Sequence, residues 1–83
     1  MRILYFAWLR EKAGRREEEL EIPPEVGTVG ELIAWLSRLD AGRAAAFADP
    51  KQVRCAVDLE FAGADASIRA AKEVAFFPPV TGG

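Results

Sequence analysis

Cys55 is the one thiol in a chain of 83 residues, and no histidine accompanies it. A cysteine becomes a nucleophile when a basic or cationic neighbour lowers its pKa. Cys55 instead sits in the alternating run Val53, Cys55, Val57, Leu59, Phe61 and reads as a small inward-facing hydrophobe. Without histidine there is no Ser-His-Asp or Cys-His set. With one cysteine there is no internal disulfide and no zinc site built on several Cys or His ligands. The carboxylates offer no isolated acid–base pair: Glu17-Glu18-Glu19 has the form of a solvated charge run. Arg15-Arg16 reads as a solvated turn, or else as a rim contact for a partner. No glycine-rich phosphate cradle and no metal-ligand spacing is found, so the expectation is no metal, no bound cofactor and no side-chain active site.

The end of the chain differs. Phe76-Phe77-Pro78-Pro79-Val80-Thr81-Gly82-Gly83 joins a strand-like segment to two prolines and a closing glycine pair. The prolines stop a strand and hold the following residues extended, and the glycines carry no side chain. A thin tail of this kind, about 78–83, can pass down a narrow channel and deliver its terminal carboxylate to another protein's active site. The alternative is an ordinary frayed terminus, but that would not need a rigid Pro-Pro followed by Gly-Gly.

The elements that must position this tail follow from periodicity. Eleven basic and thirteen acidic residues give a net charge of −2, and half of the chain is apolar. One small domain over 1–83 is expected, without the clustered basic surface of a nucleic-acid binder. The apolar start is too short to span a membrane and lacks signal-peptide architecture, which implies a cytoplasmic protein with no membrane partner. Arg2 to Trp8 is apolar on both parities, as a central strand would be. Leu9 to Arg16 is a connection with room for one helical turn. Glu17 to Ile22 alternates like an edge strand that Pro23-Pro24 ends. Thr28 and Glu31 have capping-box spacing, and Val29, Leu32, Ile33, Leu36 and Leu39 mark one amphipathic helix, with Trp35 at the border of its stripe. A short second helix over Ala44 to Phe47, a third strand over Val53 to Phe61 and a last strand over Val74 to Phe77 complete the order. Ala62 to Lys72 is ambiguous between helix and turns.

A hairpin, one main helix on one sheet face and a return to the sheet's centre make the α+β β-grasp, or ubiquitin-like, arrangement. One helix covers one face, whereas both central strands are apolar on both, so a partner protein is the expected cover for the other. In the last strand Val74 and Phe76 share one face, and Ala75 and Phe77 the other. With Phe76 against Leu32 and Leu36, Phe77 is left on the uncovered side as a partner-binding anchor; the opposite parity would give that role to Phe76.

These residues together resemble the small-subunit family of molybdopterin synthase, ubiquitin-like sulfur carriers. The likeness spans the chain: Tyr5-Phe6-Ala7, Leu9-Arg10-Glu11, the Thr28-capped helix and, most specifically, the Phe-Phe-Pro-Pro-Val-x-Gly-Gly ending. Ala70-Ala71-Lys72-Glu73 departs from the Gly-Asp turn common there. The resemblance implies a non-catalytic, sulfur-donating subunit. An ATP-dependent activating enzyme adenylates the Gly83 carboxylate, and a sulfur donor converts the adenylate to a thiocarboxylate. The tail, Pro78, Pro79, Val80, Thr81 and Gly82, then enters the large catalytic subunit of a heterotetramer, where sulfur passes to cyclic pyranopterin monophosphate. Phe77 would dock on both partners. Three other readings stay open: the sulfur carrier of thiamine biosynthesis, for which Phe-Phe-Pro-Pro is atypical; a ubiquitin-like modifier of lysines; and a plain interaction domain with a dispensable tail.

Overall fold

The structure is a computed structural model and describes residues 1–79. In chain order the elements are β1 (Arg2–Tyr5), α1 (Trp8–Ala13), β2 (Glu17–Glu19), α2 (Val29–Ser37), α3 (Ala41–Ala46), a 3-10 turn (Pro50–Gln52), β3 (Arg54–Val57), β4 (Glu60–Ala62) and β5 (Glu73–Phe77). The strands form one mixed sheet in the order β2-β1-β5-β3-β4. β1 and β5 run parallel at its centre, and the other pairs are antiparallel. This is the expected β-grasp.

The inner face holds the core. Ile3, Tyr5, Val74, Phe76 and Cys55 meet Val29, Leu32 and Leu36 of α2, and Leu9, Ala13, Ala46 and Phe47 close the ends. Each large apolar side chain taken from water contributes roughly 1.5–3 kcal/mol. Phe76 lies against Phe47 edge-to-face at 4.9 Å and Tyr5 at 6.3 Å between ring centroids.

The main helix starts as its capping spacing requires. Thr28 Oγ1 accepts from Glu31 N at 3.2 Å, and Glu31 Oε1 accepts from Gly27 N at 2.9 Å and Thr28 N at 3.1 Å. Those amides, Gly27's foremost, hold the Glu31 carboxyl below its ordinary pKa. The helix ends at Ser37, earlier than the apolar period suggests, because Asp40 caps α3 by accepting from Arg43 N at 2.8 Å. Leu39 consequently falls in a turn and is exposed. Gly42 lets α3 approach α1, since a Cβ there would lie 2.9 Å from Lys12 O.

Three expectations are corrected. The opening strand stops at Tyr5, since Ala7 turns at φ 55° and Trp8 begins a six-residue helix that Gly14 closes in the left-handed region. The edge strand is confined to Glu17–Glu19, although Leu20 and Ile22 still pack on the core. Val53 to Phe61 is a hairpin rather than one strand: Asp58 and Leu59 have φ 47° and 72°, the positive pair of a tight hairpin turn. Leu59 and Phe61 are therefore 87% and 86% exposed instead of inward. Ala62 to Lys72, which the sequence leaves ambiguous between helix and turns, holds no helix. It follows the start of α2 through Gly30 N to Ala64 O, Val29 N to Ala66 O and Ile68 N to Gly27 O, with Ile68 buried.

The acidic run is not uniformly solvated. Glu18 pairs with Ile3 in register and so points inward, where Arg43, only 6% exposed, meets it. Arg43 Nε donates to Glu18 Oε2 at 3.0 Å, and Arg43 Nη2 donates to Oε1. Tyr5 Oη donates to Glu18 Oε2 at 2.7 Å, and Arg15 bridges Glu18 and Asp40. Burial alone would raise the Glu18 pKa, but the donors from Arg43, Tyr5 and Arg15 outweigh it and the carboxyl lies below its ordinary value. The same carboxylate pushes Arg43 up, while burial and then the bond to Glu18 push Tyr5 up. The cluster fastens α3 to β1 and β2 of the sheet.

Candidate functional site

β5 determines where the tail begins. It pairs with β1 as far as Tyr5↔Phe76 and with β3 as far as Arg54↔Phe77. Phe6 N donates the last bond on the β1 side to Phe76 O at 3.0 Å. Pro78, which has no N–H to offer a ladder, comes next, and Pro78 and Pro79 are half-buried. The tail therefore starts at the end of the sheet's central strand. Val80, Thr81, Gly82 and Gly83 lie outside the described residues, so their expected roles rest on the sequence.

The face beside this exit is open. Register aligns Leu4, Ala75, Ala56 and Phe61 across β1, β5, β3 and β4. Phe77 lies one step further along, its ring 5.8 Å from that of Phe61. Phe6, 48% exposed, follows the end of β1. Phe76, by contrast, is completely buried. Of the two registers considered for these phenylalanines, the structure has the one that leaves Phe77 on the uncovered side. Between Phe61 and Phe77 lies a shallow concavity of about 530 Å³, lined also by Arg54, Cys55, Ala62 and Gly63.

Sequence reasoning missed Phe61 as part of this face because it assigned Phe61 to an inner row. Glu18 was missed as a buried ion-pair partner, though it shares parity with Leu20 and Ile22. Cys55 is where the alternation puts it, 5% exposed, with Sγ 3.3 Å from Ala62 O. Burial pushes its thiol up, so it is held protonated and poorly nucleophilic. Trp35 is half-buried against the core. Among the described residues no His/Cys/Asp/Glu group could hold a metal ion, and no helix is long and apolar enough to cross a membrane.

The described residues thus leave one apolar sheet face open beside the end of the central strand. The family model of the ThiS proteins matches residues 3–83. The chain belongs to the ThiS family. Its fold is accordingly the ubiquitin-like sulfur-carrier fold, and solved structures share it along nearly the whole length. SAMP1 from Haloferax volcanii superposes with a TM-score of 0.72 at 27% identity, covering 100% of this chain and 98% of that one. A Pyrococcus furiosus protein provisionally assigned as molybdopterin converting factor, subunit 1, gives 0.70 at 31% identity over 95% of each chain. Another structure, of the H. volcanii small archaeal modifier protein 1, gives 0.67 at 27%, covering 96% and 97%. No curated protein sequence matches this ThiS-family chain.

Proposed function

We propose that this chain is the sulfur-donating small subunit of a molybdopterin synthase, one domain over 1–83 whose working group is the Gly83 carboxylate. The observation that carries the reading is Phe77 on the open face at the root of a Pro-Pro-Val-Thr-Gly-Gly tail. The likeness to the Pyrococcus furiosus protein supports it. A free carboxylate is a poor electrophile. An ATP-dependent activating enzyme joins it to AMP and releases pyrophosphate; a sulfide-level donor then attacks the acyl carbon, AMP leaves, and a thiocarboxylate remains. A side chain at Gly83 or Gly82 would crowd that carbon in both steps. Pro78, Pro79, Val80 and Thr81 span the distance into the large catalytic subunit of a heterotetramer, where cyclic pyranopterin monophosphate accepts the sulfur. The chain needs no cofactor of its own; adenylate and thiocarboxylate are its covalent states.

Likeness to SAMP1 favours a second use of the same carboxylate, conjugation to lysines as a ubiquitin-like modifier. Both uses pass through the adenylate. The Phe76-Phe77-Pro78-Pro79 run favours the molybdopterin reading over a thiamine sulfur carrier. Deleting Gly83, or adding one residue after it, should abolish thiocarboxylate formation and leave the thermal melt unchanged. Undiminished molybdopterin synthesis by the Gly83-deleted chain in a reconstituted system contradicts the mechanism.

A further inference from the structure

The open face carries its charges unevenly. At one rim Arg2 Nη2 lies 2.9 Å from Glu73 Oε1, and Arg2 Nη1 lies 3.9 Å from Glu17 Oε2. Nearby, the Asp58 carboxylate accepts from Lys72 N at 2.9 Å and Glu73 N at 3.0 Å. That rim satisfies itself. The opposite rim, where the tail leaves, holds Arg54, paired in register with Phe77. Arg54 Nη1 donates to Lys51 O at 3.0 Å and to Val53 O at 3.3 Å. Both acceptors are neutral, and no carboxylate among the described residues pairs with this guanidinium.

Arg54 is also the one charged side chain lining the concavity between Phe61 and Phe77. A guanidinium steadied by two carbonyls through one nitrogen keeps other N–H groups for a carboxylate, in the fork geometry that favours arginine there. Closure of an apolar surface over the two rings would exclude water and strengthen such a pair. We propose that Arg54 is a positioning residue for docking: it pairs with a carboxylate on the adenylating enzyme, the first protein that must receive the tail, while Phe61 and Phe77 seat the apolar surface around that carboxylate. The inference rests on the sulfur-carrier reading. It adds the charge of the partner and the residue that reads it. The apolar patch supplies contact area in any rotation about its own normal, and an off-centre charge pair selects one orientation, the one that aims the tail.

The test is ATP–pyrophosphate exchange by the adenylating enzyme, with the carrier as the varied substrate. Thermal melts verify that Arg54→Lys, Arg54→Leu and Arg54→Glu are folded, which the exposure of the side chain favours. Arg54→Leu should raise the KM for carrier about tenfold and Arg54→Glu more, with kcat within about twofold of the wild type. Arg54→Lys should recover only part of the loss, since it keeps the charge without the fork, and the salt dependence of KM should flatten in Arg54→Leu. An unchanged KM for Arg54→Glu, beside an active wild type, overturns this inference alone. A lowered KM also overturns it, since it would mean that Arg54 retains the chain's own carboxylate. A wild type that is not adenylated removes the sulfur-carrier reading and this inference with it.

Discussion

Phe76 and Phe77 are neighbours in one strand and face opposite worlds. Phe76 is sealed between Tyr5, Phe47 and the core under α2, whereas Phe77 has only partial cover and one aromatic neighbour, Phe61. The inner row is bulky throughout, with Ile3, Tyr5, Val74 and Phe76 each buried. The outer row narrows to Ala75 and Ala56 between larger residues, a shape that invites an approaching surface. One face therefore bears the folding energy, and the other is free to serve association. A pleated strand makes this division available at every second residue.

The largest effect expected from that division is on stability. Phe76→Ala should cost about 3–5 kcal/mol in chemical denaturation, the cavity adding to the lost transfer energy. A loss well under that range would mean that the inner face does not dominate folding.

Next comes the charge cluster, which sharpens the comparison by placing a polar tie within the core face. Glu18→Gln should cost about 1–3 kcal/mol at neutral pH, because Arg43 loses the more buried of its two carboxylates and keeps only Asp40, at 2.7 Å. The Glu18 pKa is depressed in the folded state, so its contribution is full above its ordinary value of 4.5 and is lost as pH falls through the folded value. Acid titrations of wild type and Glu18→Gln should accordingly converge at low pH; parallel curves would assign the tie elsewhere.

Phe77→Ala should reverse the pattern of Phe76→Ala. Partner binding by calorimetry should weaken by about 2 kcal/mol or more, while the isolated domain loses about 1 kcal/mol or less. Equal stability losses for the two phenylalanines would erase the distinction between faces.

Smallest of all is Cys55→Ala. Full sulfur transfer should persist, with a stability loss of about 1 kcal/mol. A folded but transfer-dead Cys55→Ala chain would give the inner face a chemical role that the burial of its thiol argues against.

How far the sequence reveals these features varies with the physics of each. The Thr28-Glu31 cap follows from local spacing and the pairing of first and last strands from the order of the elements; the alternation shows that Phe76 and Phe77 face opposite ways, and only the structure shows that Phe76 is the inward one. The β3–β4 turn was hidden because Asp58-Leu59 supplies two positive φ values without the Asn or Gly that ordinarily mark them, and the apolar alternation runs through the turn uninterrupted. Glu18 was hidden by its neighbours: Glu17 and Glu19 are exposed, and only the parity shared with Leu20 and Ile22 separates it from them. Its partner Arg43 lies 25 positions away, beyond any local pattern. Phe77 was legible as an anchor, but Phe61 and Arg54 joined the same face only through sheet register.

The central claim is that Gly83 carries sulfur as a thiocarboxylate. Intact-mass spectrometry after incubation with ATP, the adenylating enzyme and a sulfur donor tests it directly. The account predicts a gain equal to the replacement of one oxygen by one sulfur, located by fragmentation at Gly83 and absent without ATP. An unchanged mass, or sulfur found on Cys55 instead, would contradict it.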